Sequence, residues 1–104
     1  MAKYLFVYHG AKPPSTPAES KATMDAWGEW FESLGVAVID GGNPVGPSIT
    51  VKPDGSLSSS GGANPAVGYS LIEASNLEDA HKKACGCPLL KAGGSIEIAQ
   101  AMDM

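Results

Sequence analysis

Hydrophobic and polar positions along the chain predict strands that alternate with helices. Residues 4–8 form a continuous β-prone run, which is typical of a strand covered on both faces. Thr16 is followed by Pro17 and then by Glu19, a combination that predicts a helix start with a capping box. Gly35 predicts the helix end, because glycine readily adopts the left-handed conformation found there. The helix carries one apolar stripe, formed by Met24, Trp27, Phe31 and Leu34.

Four further strands are predicted in the middle of the chain. Residues 36–39 are an apolar run, and residues 48–52 alternate as in a half-buried strand. The Asp54-Gly55 pair predicts a turn into a weaker strand at residues 56–58. Residues 67–73 are then predicted as a longer strand.

A second helix and a last strand complete the pattern. Ser75 and Glu78 have the spacing of a second capping box, and Gly86 and Pro88 predict the helix end. Residues 95–99 alternate cleanly and predict the final strand. The predicted inward residues of this helix are Leu77, Ala80 and Ala84.

The predicted order is β-α-β-β-(β)-α-β, which indicates an α+β fold of the ferredoxin-like sandwich type in a single domain, residues 1–104. Both helices must then cover the same face of the sheet. Alternation along the strand at residues 67–73 puts Tyr69, Leu71 and Glu73 on one side of the sheet and Ser70 and Ile72 on the other. This mixed content predicts a homodimer in which two sheets pack face to face around a partly polar cavity.

Composition narrows the range of partners. The net charge is −4 and all seven basic residues are lysine, so the arginines that recognise phosphate and guanine are missing. We therefore expect no nucleic-acid partner. The sequence has no apolar run of the ~20 residues that span a bilayer, and its start lacks a signal-peptide pattern. We expect no membrane association and a cytoplasmic location.

Cys85 and Cys87 have a Cys-Gly-Cys spacing, which differs from the Cys-x-x-Cys of redox and zinc sites. No second cysteine pair completes a tetrahedral metal site. The interpretation is two partly buried thiols at a helix end, and we predict neither a metal nor a cofactor.

Residues 40–48 are the most distinctive segment, because they place three glycines and two prolines directly after a strand. Glycine permits close approach of a ligand or another backbone, and proline fixes φ. Residues 61–65 repeat the Gly-Gly and Asn-Pro elements. The two segments are predicted to form either paired walls of a pocket or two tight corners.

With these residues the chain resembles the YCII-related family, also called the DGPF-domain family. The resemblance covers nearly the whole chain. The Asp-Gly-Pro-Phe motif that names the family is absent, and residues 59–65 occupy its place. The resemblance implies a dimeric α/β barrel, and a His/Asp pair has been proposed as the active site in the wider group. The matching segments are residues 3–8, 30–31, 40–44, 46–48, 68–74, 87–88 and 93–97.

His9 and Asp40 are the candidate catalytic residues, because each ends a predicted strand. A His–Asp pair orients an imidazole for proton transfer, as an isomerase or lyase requires. The alternatives are a solvated histidine and an aspartate that accepts hydrogen bonds within its own turn. His81, beside two lysines, is predicted to be a surface residue.

The candidate ligand-binding residues are Asn43, Asn64, Tyr69 and Ser70. Three hypotheses follow for function. The first is a homodimer that binds a small organic molecule in the cavity between the sheets. The second is an enzyme that uses His9 and Asp40, and the third is a protein-interaction or regulatory module.

Overall fold

A computed structural model describes residues 1–10 and 14–103. A short 3-10 turn, Gly35–Ala37, follows the first helix. The remaining elements in chain order are β1 (Ala2–His9), α1 (Pro17–Leu34), β2 (Val38–Asp40), β3 (Thr50–Val51), β4 (Leu57–Ser58), β5 (Ala66–Ala74), α2 (Leu77–Ala84), α3 (Pro88–Lys91) and β6 (Ser95–Ala101).

Four strands form an antiparallel sheet in the order β2-β5-β1-β6, and β3 and β4 form a separate two-stranded hairpin. The two long central strands, β1 and β5, pair along their whole length, from Ala2 opposite Ala74 to His9 opposite Ala66. This arrangement confirms the predicted mixed α+β class.

Several element bounds differ from the prediction, and the strand predicted at residues 48–52 is reduced to β3, Thr50–Val51. The second strand begins at Val38 instead of residue 36, because Gly35 at φ 58° turns the chain into a 3-10 segment first. The short helix α3 was not predicted. Four residues are too few to show a helical period, and Pro88, expected to end α2, occupies the first turn of α3 instead.

The core lies between one face of the sheet and the helices. Alternate residues of β1 point into it, and β5 contributes Ile72 and Ala74. The helices supply Trp30, whose indole N–H donates to the Lys83 carbonyl at 2.9 Å. The remaining buried apolar residues are Tyr4, Phe6, Tyr8, Ala37, Ala80, Ala84, Cys87 and Leu89.

Two residues predicted to point inward are exposed. Met24 is 73% exposed and Leu77 is 57% exposed. Met24 lies in the first half of α1, away from Trp30, which is the helix's buried residue. Leu77 is the first residue of α2, and the prediction of an inward side chain was wrong for both Met24 and Leu77.

The helix caps explain where the helices start. Thr16 accepts a hydrogen bond from the Glu19 amide at 3.1 Å, which confirms the predicted cap. In α2 the cap is Asn76, one residue later than predicted, and it accepts from the Asp79 amide at 2.8 Å. Hydrogen bonding from Lys83 and then from the Ser75 amide lowers the pKa of Asp79 to about 2.

The helices leave the other face of the sheet open. Alternation puts Leu5, Val7 and Leu71 there, and Leu5 lies opposite Leu71 on one side and Ala99 on the other. Leu5 is 38% exposed. The predicted division into a helix-covered face and an uncovered face is therefore present, with apolar side chains on both.

Candidate functional site: a cavity between the first helix and a glycine-rich segment

A cavity of about 630 Å³ lies on the helix-covered side of the sheet. Its walls come from α1, from the segment after β2 and from the start of β5. Such a volume is within the range of small-molecule sites, which are mostly apolar with a few polar groups. The lining residues are Tyr8, Thr23, Met24, Trp27, Gly28, Phe31, Gly41, Gly42, Asn43, Pro44, Val67, Gly68, Tyr69 and Leu89.

Aromatic rings form the wall on the helix side. The rings of Trp27 and Tyr8 meet edge to face, with 5.0 Å between centroids. Phe31 lies 5.8 Å from Trp27, ring centre to ring centre. Gly28 separates these two residues on α1, and a Cβ built on it meets no atom within 4 Å. Trp27 and Phe31 therefore flank Gly28, a position where a side chain would have free space.

The glycine-rich segment forms the opposite wall and is held along β5. Pro44 bridges to Gly68, the Val45 amide donates to the Val67 carbonyl at 3.0 Å, and the Tyr69 amide donates to the Asn43 carbonyl at 3.3 Å. These bonds continue the β2–β5 pairing past the end of β2. The segment is therefore a defined wall, as its content of glycine and proline predicts.

Beneath this wall runs a chain of buried hydrogen bonds. The Tyr8 hydroxyl donates to Ser70 Oγ at 2.6 Å, and Ser70 Oγ donates to the Gly41 carbonyl at 2.7 Å. Burial raises the pKa of the Tyr8 phenol far above its ordinary value, against the opposing effect of the Ser70 hydrogen bond. The phenol therefore stays protonated. The two hydrogen bonds link the sheet, through Tyr8 and Ser70, to the glycine-rich segment at Gly41.

The four predicted ligand residues have different positions. Asn43 and Tyr69 line the cavity, with the Asn43 amide nitrogen 3.4 Å from the Tyr69 hydroxyl. Ser70 is fully buried and does not line the cavity; its hydroxyl donates to the Gly41 carbonyl in the glycine-rich segment. Asn64 is absent from the lining, and its carbonyl contacts His9.

His9 and Asp40, the predicted catalytic pair, are not brought together within the described chain. His9 Nδ1 lies 2.9 Å from the Asn64 carbonyl, and Nε2 lies 3.2 Å from Glu97 Oε1. Asp40 Oδ1 accepts from the Gly42 amide at 2.8 Å, within its own turn.

Strand register accounts for this separation. His9 pairs with Ala66 and Asp40 pairs with Leu71, so the two positions are five residues apart along β5. At ~3.3 Å per residue this is about 16 Å along the strand. Glu97, which was not among the predicted site residues, is the carboxylate that β6 places beside His9.

The helix side of the cavity was missed because Trp27 and Phe31 were predicted only as members of the apolar stripe of the helix. Gly28 was the available signal. Glycine inside a helix costs about 1 kcal/mol relative to alanine, so its presence indicates a specific local requirement.

The two cysteines differ in their surroundings. Cys85 is exposed, whereas Cys87 is buried and burial raises its pKa to about 11. Both are free thiols. His81 is exposed, as predicted.

Within residues 1–10 and 14–103, no group of three or more His, Cys, Asp or Glu side chains is arranged to hold a metal ion. The same part of the chain contains no helix that is both long and apolar enough to cross a membrane.

Neither a protein-family model nor a curated protein matches the sequence. The resemblance to the YCII-related family therefore stays a prediction.

Proposed function

We propose that this protein binds a small organic molecule in the cavity between α1 and residues 41–44. The observation that carries the proposal is the cavity itself, about 630 Å³ in volume and lined mainly by apolar and aromatic residues. Binding sites of this kind are largely formed before the ligand arrives. The hydrogen bonds that hold residues 43–45 along β5 supply that preorganisation.

The same geometry favours binding over proton transfer by His9 and Asp40. Neither residue lines the cavity, and each already has hydrogen-bonding partners elsewhere. Within the described lining the titratable groups are two tyrosines, and the pKa of Tyr8 is raised by burial. A general base for chemistry at neutral pH needs a pKa near that pH.

Filling the cavity at Gly28 is expected to remove binding without unfolding the protein. Gly28 lines the cavity, a side chain there has free space, and leucine is a better helix former than glycine. We expect fragments that raise the Tm of the wild type in a thermal-shift screen to leave the Tm of Gly28→Leu unchanged. The screen uses neutral, anionic and cationic fragments alike.

Ala22→Leu is the matched control, because Ala22 is exposed on the same helix and absent from the lining. It is expected to keep the wild-type shifts. Fragment shifts of equal size in Gly28→Leu and the wild type would contradict the proposed site.

We further propose that the chain is a ferredoxin-like protomer of the YCII-related type that forms a dimeric α/β barrel. Two features support this proposal. The strand order β2-β5-β1-β6 places both strands that precede a helix, β1 and β5, at the centre of the sheet. The open face presents Leu5 beside Leu71 and Ala99, an apolar row that a second sheet would cover.

Sedimentation equilibrium tests the dimer. We expect a mass of twice the 10.6 kDa chain for the wild type and a single-chain mass for Leu5→Glu. A glutamate is tolerated at this half-exposed position in the single chain. Between two packed sheets its charge would be buried without a counter-charge, which disfavours the dimer. Val36→Glu, at a residue 99% exposed, is the control that should remain dimeric. A wild type that sediments as a single chain would refute the dimer.

A further inference from the structure

We propose that the ligand of this cavity is an uncharged, flat aromatic molecule with one hydrogen-bonding group at its edge. This inference rests on the proposed binding function and specifies the chemistry of its ligand. It follows from three properties of the lining: its charge, its shape and the position of its free polar atoms.

The charge of the lining favours an uncharged ligand. Among the described lining residues there is no Asp, Glu, Lys, Arg or His. A charged ligand that left water for this cavity would find no opposite charge to compensate for its lost hydration. The protein's net charge of −4 further disfavours an anion.

The shape of the lining favours a flat ligand. Aromatic side chains come from both the helix and the sheet, with Trp27 and Phe31 on α1 and Tyr8 on β1. Aromatic rings pack best against other rings in offset-stacked or edge-to-face contacts. Between them the lining contains Gly28, where a Cβ would meet no atom within 4 Å, and Gly41, where it would meet only Phe31, so a flat ring can approach the backbone at both positions.

The lining has few polar side chains, and Tyr8 already donates its hydroxyl proton to Ser70. Asn43 is exposed, and its amide nitrogen is 3.4 Å from the Tyr69 hydroxyl. Within the described chain no donor contacts Asn43 Oδ1. This oxygen therefore offers one acceptor to a hydroxyl or amide hydrogen of the ligand.

A matched series on one ring system tests charge and shape together. The probes are 2-naphthol, 2-naphthoate, 2-naphthyltrimethylammonium and decahydro-2-naphthol, each titrated at neutral pH and followed by ¹⁵N chemical shifts of the cavity backbone. We expect 2-naphthol to bind at least about tenfold more tightly than each of the other three. Equal or tighter binding of the carboxylate, the ammonium or the saturated alcohol would overturn the inference.

Asn43→Ala tests the polar edge. We expect it to weaken 2-naphthol binding by about five- to tenfold, the usual range for one lost hydrogen bond, while leaving the affinity for naphthalene unchanged. A purely structural role of Asn43 would weaken both ligands alike. Asn64→Ala, at a residue outside the lining, is the matched control and should change neither affinity.

Gly28→Leu distinguishes an error in the proposed ligand class from an error in the proposed site. If it removes the binding of a charged or saturated probe that proves to be the tightest, the cavity is the site and only the ligand class is wrong. If 2-naphthol binds Gly28→Leu as tightly as the wild type, the proposed site itself is wrong.

Discussion

Replacing Gly42 by alanine is expected to destabilise the protein and to abolish ligand binding in the cavity. Gly42 has φ +72°, and a Cβ on it would overlap the Tyr69 carbonyl oxygen. The left-handed conformation alone costs a non-glycine residue about 1–3 kcal/mol. The overlap is with backbone, which cannot move without breaking the bond between the Tyr69 amide and the Asn43 carbonyl. Urea denaturation measures the first effect, and titration with 2-naphthol measures the second.

Gly41→Ala is the matched control in the neighbouring position. A Cβ on Gly41 would meet Phe31 Cζ at 3.8 Å, an ordinary van der Waals contact. We expect its free energy of unfolding to stay within about 1 kcal/mol of the wild type. If Gly41→Ala and Gly42→Ala were equally stable, the wall formed by residues 41–44 would not have the conformation described.

Features set by local sequence were predictable. Thr16 and Gly35 bound α1 as expected, because caps depend on the residue itself and on its neighbours within one turn. The cap of α2 was misplaced by one residue, since Ser75 and Asn76 both carry suitable side chains. Local sequence does not decide between two such neighbours.

Features set by distant contacts were predictable only in part. The glycines and prolines of residues 40–48 indicated a defined segment, whereas Asn43 and Tyr69 were predicted to line a cavity between two sheets and are lining residues of a cavity beside α1. The proximity of His9 to Asp40 was inferred from strand ends alone. Which strand ends meet depends on the register of β5 against its two neighbours, and a single sequence does not encode that register in any local pattern.

Ser70→Ala is expected to cost about 2–6 kcal/mol of the free energy of unfolding, because it removes one partner from a buried and from a part-buried group at about 1–3 kcal/mol each. The groups are the Tyr8 hydroxyl and the Gly41 carbonyl, 2.6 and 2.7 Å from Ser70 Oγ. This is a large share of the roughly 5–15 kcal/mol that stabilises a typical domain. Equilibrium urea denaturation measures the loss, and Ser95→Ala, at an exposed residue of β6, should cost little.

A double-mutant cycle with Tyr8→Phe shows whether the cost arises from unpaired polar groups or from lost packing. In the Ser70→Ala background, Tyr8→Phe removes a hydroxyl that has already lost its acceptor, so it should cost nothing or restore stability. In the wild-type background the same change removes a satisfied hydrogen bond and should cost about 1 kcal/mol. Strictly additive losses would mean that the Tyr8 and Ser70 hydroxyls act independently. The hydrogen bonds from Tyr8 through Ser70 to Gly41 would then not support the cavity wall formed by residues 41–44.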